Sequence, residues 1–221
     1  MIFDAATIEM IQKGIWETLY MVGLSSAISY LIGIPLGIIL VVTAKDGIRP
    51  IPLLQSILGV AINLLRAVPF IILLIMVLPL TEALVGTVVG SKAIVPPLVI
   101  AAAPYIARMV ESSFKEVDAG VIEAAKSMGA STFQIVWKVL LPEARPSLLV
   151  GAAISITTIL GYSAMAGFVG GGGLGAIAIN YGYYRYELGL MLVTAAILVI
   201  IVQIIQEVMM KLSRATDRRI R

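Results

Sequence analysis

Few residues in this chain could do covalent chemistry. It has no cysteine and no histidine, which removes disulfides, thiolate nucleophiles, imidazole acid–base catalysis and the common zinc ligand sets. Gly170-Gly171-Gly172-Gly173-Leu174-Gly175 satisfies GxGxxG. That fingerprint holds phosphate only where a strand turns into a helix within a βαβ unit, and the run before it is an apolar stretch of transmembrane length. No GxxxxGK[ST] occurs. The chain is therefore expected to be neither an enzyme nor an ATP-binding protein, with no cofactor and no metal of its own. The glycines are read as a break that ends an apolar span and lets the chain turn back.

Chemistry of a mechanical kind is suggested by the polar island Glu123-Ala124-Ala125-Lys126-Ser127-Met128-Gly129. Val121, Ala124, Ala125 and Met128 recur at i, i+3, i+4, i+7, which predicts one apolar helical face with Glu123, Lys126 and Ser127 on the others. Asp118 is a candidate N-cap and Gly129 suits a left-handed end. A helix over 119–128 is about 15 Å long, too short for a bilayer core of roughly 30 Å, so it must lie outside the membrane. Ser131-Thr132-Phe133-Gln134 reads as a capping box for a second short helix. That helix is expected to end before Pro142, which cannot donate a backbone hydrogen bond and biases Leu141 toward extended geometry.

A second cluster, Tyr162, Ser163 and Met165, lies among alanines and glycines of an apolar run. Soft and aromatic side chains beside small ones could line a path for an apolar amino acid; core packing is the competing reading of each. Arg66, inside another apolar run, must face protein, water or headgroups.

The elements that carry these residues follow from composition. With 60% hydrophobic and 13% charged residues against about 25% charged in soluble domains, the chain is an all-α polytopic membrane protein. Five spans are expected at about 15–42, 53–80, 93–110, 146–168 and 188–210, in a single domain over 1–221 whose polar loop covers about 118–145. Residues 1–14 are read as an interfacial helix, the second run as interrupted at Arg66-Ala67-Val68-Pro69, and Pro146 as a first-turn residue of the fourth span. Tyr181, Tyr183, Tyr184 and Tyr186 are read as an interfacial aromatic belt.

Glu123-Ala124-Ala125, three residues, Gly129, then Val139, one residue, and Leu141-Pro142 resembles the coupling loop of ABC importer permeases, with Val139 where isoleucine is more frequent in that family. The Arg66-x-x-Pro69 segment is similar to one in amino-acid importer permeases. Residues 123–149 and 169–183 resemble the permease subunits of bacterial methionine importers. The resemblance implies the type I ABC importer permease fold and a homodimer joined to two ATPase subunits that bind ATP and Mg. It also implies delivery of L- or D-methionine by an extracytoplasmic binding lipoprotein. In the motif, Glu123, Ala124, Ala125, Lys126, Met128, Gly129, Leu141 and Pro142 would form the ATPase-coupling loop.

Charge gives an orientation without the motif. A cytoplasmic C-terminus puts Lys45, Arg49, Arg108, Lys115, Lys126, Lys138, Arg145, Lys211, Arg214, Arg218, Arg219 and Arg221 inside, and Lys13, Lys92 and Arg185 outside. Twelve against three, with Arg66 unassigned, is a positive-inside bias that places the N-terminus outside and the polar loop in the cytoplasm; the resemblance implies that the membrane is a bacterial inner membrane. Gly151, Ala152 and Ser155, and Gly161, Ala164 and Gly167, form small-residue faces suited to close packing, between two copies or within one. A net charge of +3, divided by membrane side, gives no case for nucleic acid. The competing functions are a permease for another amino acid or small solute, and an uncoupled membrane scaffold or channel component.

Overall fold

A computed structural model describes residues 4–216; the expected tail cations Arg218, Arg219 and Arg221 and the start of the expected interfacial helix lie outside them. Every regular element among the described residues is helical. In order they are α1 (Ala5–Thr43), α2 (Pro52–Ala67), α3 (Phe70–Val85), α4 (Ser91–Lys115), α5 (Ala119–Ser127), α6 (Thr132–Ile135), a π-helical segment (Val136–Leu140) and α7 (Leu141–Met165). A 3-10 turn (Ala166–Val169), α8 (Gly173–Ile177), a second π segment (Ala178–Tyr183) and α9 (Leu188–Thr216) complete the chain.

Helix α1 starts where Asp4 accepts a 2.9 Å hydrogen bond from the Thr7 N–H, which holds the Asp4 carboxyl below the usual carboxylate range. It continues unbroken to Thr43. Among the described residues no separate interfacial helix forms before Gly14; those turns belong to α1, because Gly14 does not interrupt the helix but receives the Ile177 side chain, whose Cδ1 would lie 2.5 Å from a Cβ there.

Three hydrogen bonds fix which helix ends lie together. Ile51 N–H donates to the Thr43 carbonyl at 3.0 Å, so α2 leaves from the end of α1, and Gly90 N–H donates to the Gly170 carbonyl at 2.9 Å, so α3 delivers the chain to the glycine turn. That turn is bound to the first half of α1 through Gly173 N–H and Glu17 at 2.7 Å. The pair α2 and α3, bent by 107° at Val68-Pro69, therefore crosses from one end of the bundle to the other. Each arm is about 24 Å long; sharing the bend equally inclines each by roughly 53°, and together they advance about 29 Å, one bilayer core. The second apolar run is a chevron rather than a straight span. With α1, α4, the α6-to-α7 helix and α9, the described residues make up to five crossings.

The core is the seam of α1 and α4, extended by α3 and α7. Met21, Leu74, Leu98, Ile106, Val110 and Ile159 are each at most 1% exposed within it. The seam is close because Gly33 and Gly37 face α4: a Cβ on Gly33 would lie 2.7 Å from Ile106 Cγ2, and one on Gly37 2.6 Å from Val110 Cβ. Helix α9 stays at the edge, where Leu190, Thr194 and Ser213 are its buried residues, as befits a lipid-facing helix.

The second short helix does not end before Pro142. Leu141 N–H bonds to the Val136 carbonyl, closing a π turn that runs directly into α7, and Pro142 occupies the first turn of α7 while Pro146 lies in its interior. Widening the turn removes the clash that a proline ring makes with the carbonyl four residues back.

Candidate functional site

Helix α5 lies beneath the end of the bundle away from the glycine turn. Asp118 Oδ1 accepts from Gly120 N–H at 2.7 Å. The far end closes on Gly129, at φ +77°, with Gly129 N–H donating to the Lys126 carbonyl at 2.9 Å and Ala130 N–H to Ala125 at 3.1 Å, the paired closure that spends orphan carbonyls at a helix C-terminus. Ser131 and Gln134 form the reciprocal capping box, at 2.8 and 3.3 Å.

The inner edge of α5 is Ile122 with Ala125, the latter 4% exposed; Val41, Ala44, Phe114, Ile122, Lys126 and Leu140 line the crevice where it meets α1 and α4. The apolar face expected from spacing is therefore divided. Ala125 is buried, whereas Val121, Ala124 and Met128 point outward, because the helix lies against the bundle along its i, i+3 edge. Glu123 and Lys126 are exposed, Pro142 is exposed and Leu141 half-buried.

Two residues that sequence reasoning missed enlarge the outward surface. Phe133 and Trp137 are 73% and 63% exposed beside Met128 at 81%, and their rings stack 6.1 Å apart at 7°. Their signal was available: large aromatics at i, i+4 within a polar loop. Phe133 and Trp137 stand in the first turns of the long helical stretch Thr132–Val169, and exposed aromatics there mark a surface that a partner protein or the membrane covers.

The second cluster is only partly assembled. Tyr162 stacks on Phe70, centroids 4.4 Å apart and nearly parallel, which brings α7 against the start of α3. Met165, one turn on, is 49% exposed. Ser163 is 1% exposed and its hydroxyl donates to the Leu160 carbonyl at 2.8 Å, so it serves helix packing. Of the small-residue faces, Gly151 is occupied by Met109 and Gly167 by Ala176, while Gly161 faces open space; the Ser155 hydroxyl pairs with Tyr30.

Polar groups are concentrated between α2 and α4. Arg108 bonds Glu111 at 2.6 Å, the Gly59 carbonyl at 3.0 Å and Asn63 Oδ1 at 2.9 Å, and Lys115 bonds the second oxygen of Glu111 at 2.8 Å. Arg66, exposed at the apex of the chevron, has its guanidinium 5.9 Å above the Tyr105 ring. An arginine at the bilayer centre costs about 2.5–3.5 kcal/mol on insertion scales.

Residues 33–221 match the family model described as binding-protein-dependent transport system inner membrane component. The probable D-methionine transport system permease protein MetI of Vibrio cholerae is 46% identical over 211 residues, 96% of this chain and 94% of its own. The D-methionine transport system permease protein MetI of Escherichia coli is 45% identical over 158 residues, 72% and 73% of the two chains. A solved inward-facing structure of the MetNI methionine ABC transporter superposes with a TM-score of 0.96 at 42% identity, over 98% of this chain and all of that one. A crystal structure of an amino acid ABC transporter with histidines, at 20% identity and a TM-score of 0.77, shares the fold. The chain, a multi-pass membrane protein, belongs to the family of binding-protein-dependent transport system inner membrane components.

Proposed function

We propose that this chain is the membrane-spanning subunit of an ATP-driven importer that carries L- and D-methionine into the cytoplasm. The observation that carries the reading is the outward apolar surface of Met128, at the end of α5, and of Phe133 and Trp137, on α6 and the π segment that follow it, while the other edge of α5 is seated on the bundle. It is a surface shaped to receive a soluble partner and a lever shaped to move spans with it. The partner is an ATPase, which supplies ATP and Mg; two copies of each subunit complete the assembly, and an extracytoplasmic lipoprotein delivers the solute. Glu123, Ala124, Ala125, Lys126, Met128, Gly129, Leu141 and Pro142 form the coupling loop on the cytoplasmic side, with the N-terminus outside, in keeping with the charge bias. Tyr162 and Met165 border the solute path at the interface of the two copies. Methionine as solute is supported by the names of the similar permeases and by likeness along nearly the whole chain to a methionine transporter.

The test is ATP-dependent uptake of labelled L- and D-methionine into proteoliposomes holding this subunit, its ATPase and the lipoprotein. Uptake that needs hydrolysis and is competed by unlabelled methionine is the expected result. Co-purification of no ATPase, or uptake indifferent to methionine, overturns the reading.

A further inference from the structure

Gln55, Ser56, Gly59, Asn63 and Arg66 recur so that they fall within roughly 100° of the circumference of α2. Leu53, Ile57, Val60 and Leu64 on the opposite side are 56–73% exposed. An amphipathic arm inside a membrane crossing presents one side to lipid and the other to protein or water. On the polar side the two guanidiniums differ. Arg108 is committed to Glu111, Gly59 and Asn63. The side chain of Arg66 makes no ion pair and no hydrogen bond among the described residues, and its guanidinium faces the Tyr105 ring.

From this we propose that Arg66 is the site that receives the carboxylate of the transported solute partway through the membrane. The proposal rests on the reading of the chain as an importer and adds a binding residue to it. A guanidinium presents a rigid fork of donors that matches a carboxylate bidentately. At the apex of the chevron it stands roughly 14 Å from either end of the crossing, far from the level of lipid phosphates. An apolar surface begins across the bend: the buried Phe70 at the start of α3 backs the half-buried Tyr162 ring, and Met165, a turn further along α7, is 49% exposed. The class of ligand this fits is a small α-amino acid, its carboxylate on Arg66 and its apolar side chain toward Tyr162 and Met165. A single charged contact in a water-filled path is weak enough to release its ligand onward.

The test uses the whole complex in proteoliposomes, comparing wild type, Arg66→Gln and Arg66→Lys for solute uptake and for ATP hydrolysis stimulated by the loaded lipoprotein. Arg66→Gln is expected to lower uptake roughly tenfold or more with hydrolysis retained, and Arg66→Lys, which keeps charge but not the fork, to fall between. Wild-type uptake by Arg66→Gln overturns the proposal, as does parallel loss of uptake and hydrolysis in both variants, the mark of a purely structural residue. If Arg66→Gln does not assemble, Arg66→Lys decides: lowered uptake with hydrolysis retained supports the site, and undiminished uptake overturns it. Wild-type uptake of another amino acid in place of methionine would refute the substrate reading alone, and the same variants assayed with that amino acid would still judge Arg66.

Discussion

Glu17 Oε2 accepts a 2.7 Å hydrogen bond from the backbone N–H of Gly173, 156 residues away in sequence. Beside it Thr18 Oγ1 accepts from Leu174 N–H at 2.9 Å. Together they supply what the start of α8 lacks, acceptors for its first N–H groups. The Glu17 side chain is 26% exposed, so its net worth is that of a partly screened charged hydrogen bond, about 1–2 kcal/mol. Glu17→Ala should lower the melting temperature of the detergent-purified complex, while Glu17→Gln, which keeps an acceptor, should retain most of it. Equal melting of Glu17→Ala and wild type would show that the turn holds without this tie.

The α1–α4 seam separates two kinds of glycine. A Cβ on Gly37 would lie 2.7 Å from the Ala107 carbonyl oxygen, which is backbone and cannot rotate away, whereas Gly23 has nothing within 4 Å. Gly37→Ala should cost about 1–3 kcal/mol through forced separation of the helices. Gly23→Ala should be neutral or stabilising, since alanine is the better helix former by about 1 kcal/mol. Thermal melting of the two variants in one detergent decides; indifference to both would mean the seam can open freely.

These positions show how far the sequence could be read. Apolar run lengths were enough for the helices, since nothing but an internally hydrogen-bonded segment tolerates lipid. The motif around Glu123 located α5 because caps are local: Asp118, Gly129, Ser131 and Gln134 each act within a few residues. What sequence could not give is which side of a short helix meets the bundle, and so Val121 and Met128 were expected on the same face as Ala125. Glu17 carries no local signal of its role, because its partner Gly173 is reached only through the tertiary fold. Pro142 misled for a third reason: a π turn absorbs a proline that an α turn would reject.

The Arg108–Glu111–Lys115 group should be unequal to mutation. Glu111 is 6% exposed at its side chain and Arg108 22%. Glu111→Ala takes the counter-charge from a half-buried Arg108, leaving it the neutral acceptors of Gly59 and Asn63, a loss of about 3 kcal/mol. Arg108→Ala leaves Glu111 still paired with Lys115 and chiefly frees α2 from α4. Glu111→Ala should therefore reduce yield and melting temperature more, and Arg108→Ala should more strongly raise protease sensitivity within 52–67. The reverse ranking would assign the stability to the helix contacts rather than to the charges.

Docking of the ATPase should depend on rings rather than on charge. Phe133 and Trp137 stand on the rigid capping-box turn and π segment, already stacked on each other, so little side-chain freedom remains to be lost on binding, and large rings at the centre of an interface are the residues whose truncation costs most. Trp137→Ala should weaken association by on the order of 2 kcal/mol, roughly 30-fold in dissociation constant. Glu123→Gln, at an exposed position, should change it by about 1 kcal/mol or less. Neither substitution touches the buried core, so both permeases should purify as wild type does, and titration of immobilised permease with the ATPase measures the difference. Binding by Trp137→Ala within twofold of wild type would move the contact off this face of the loop, and with it the means by which hydrolysis could reach α4 and α7.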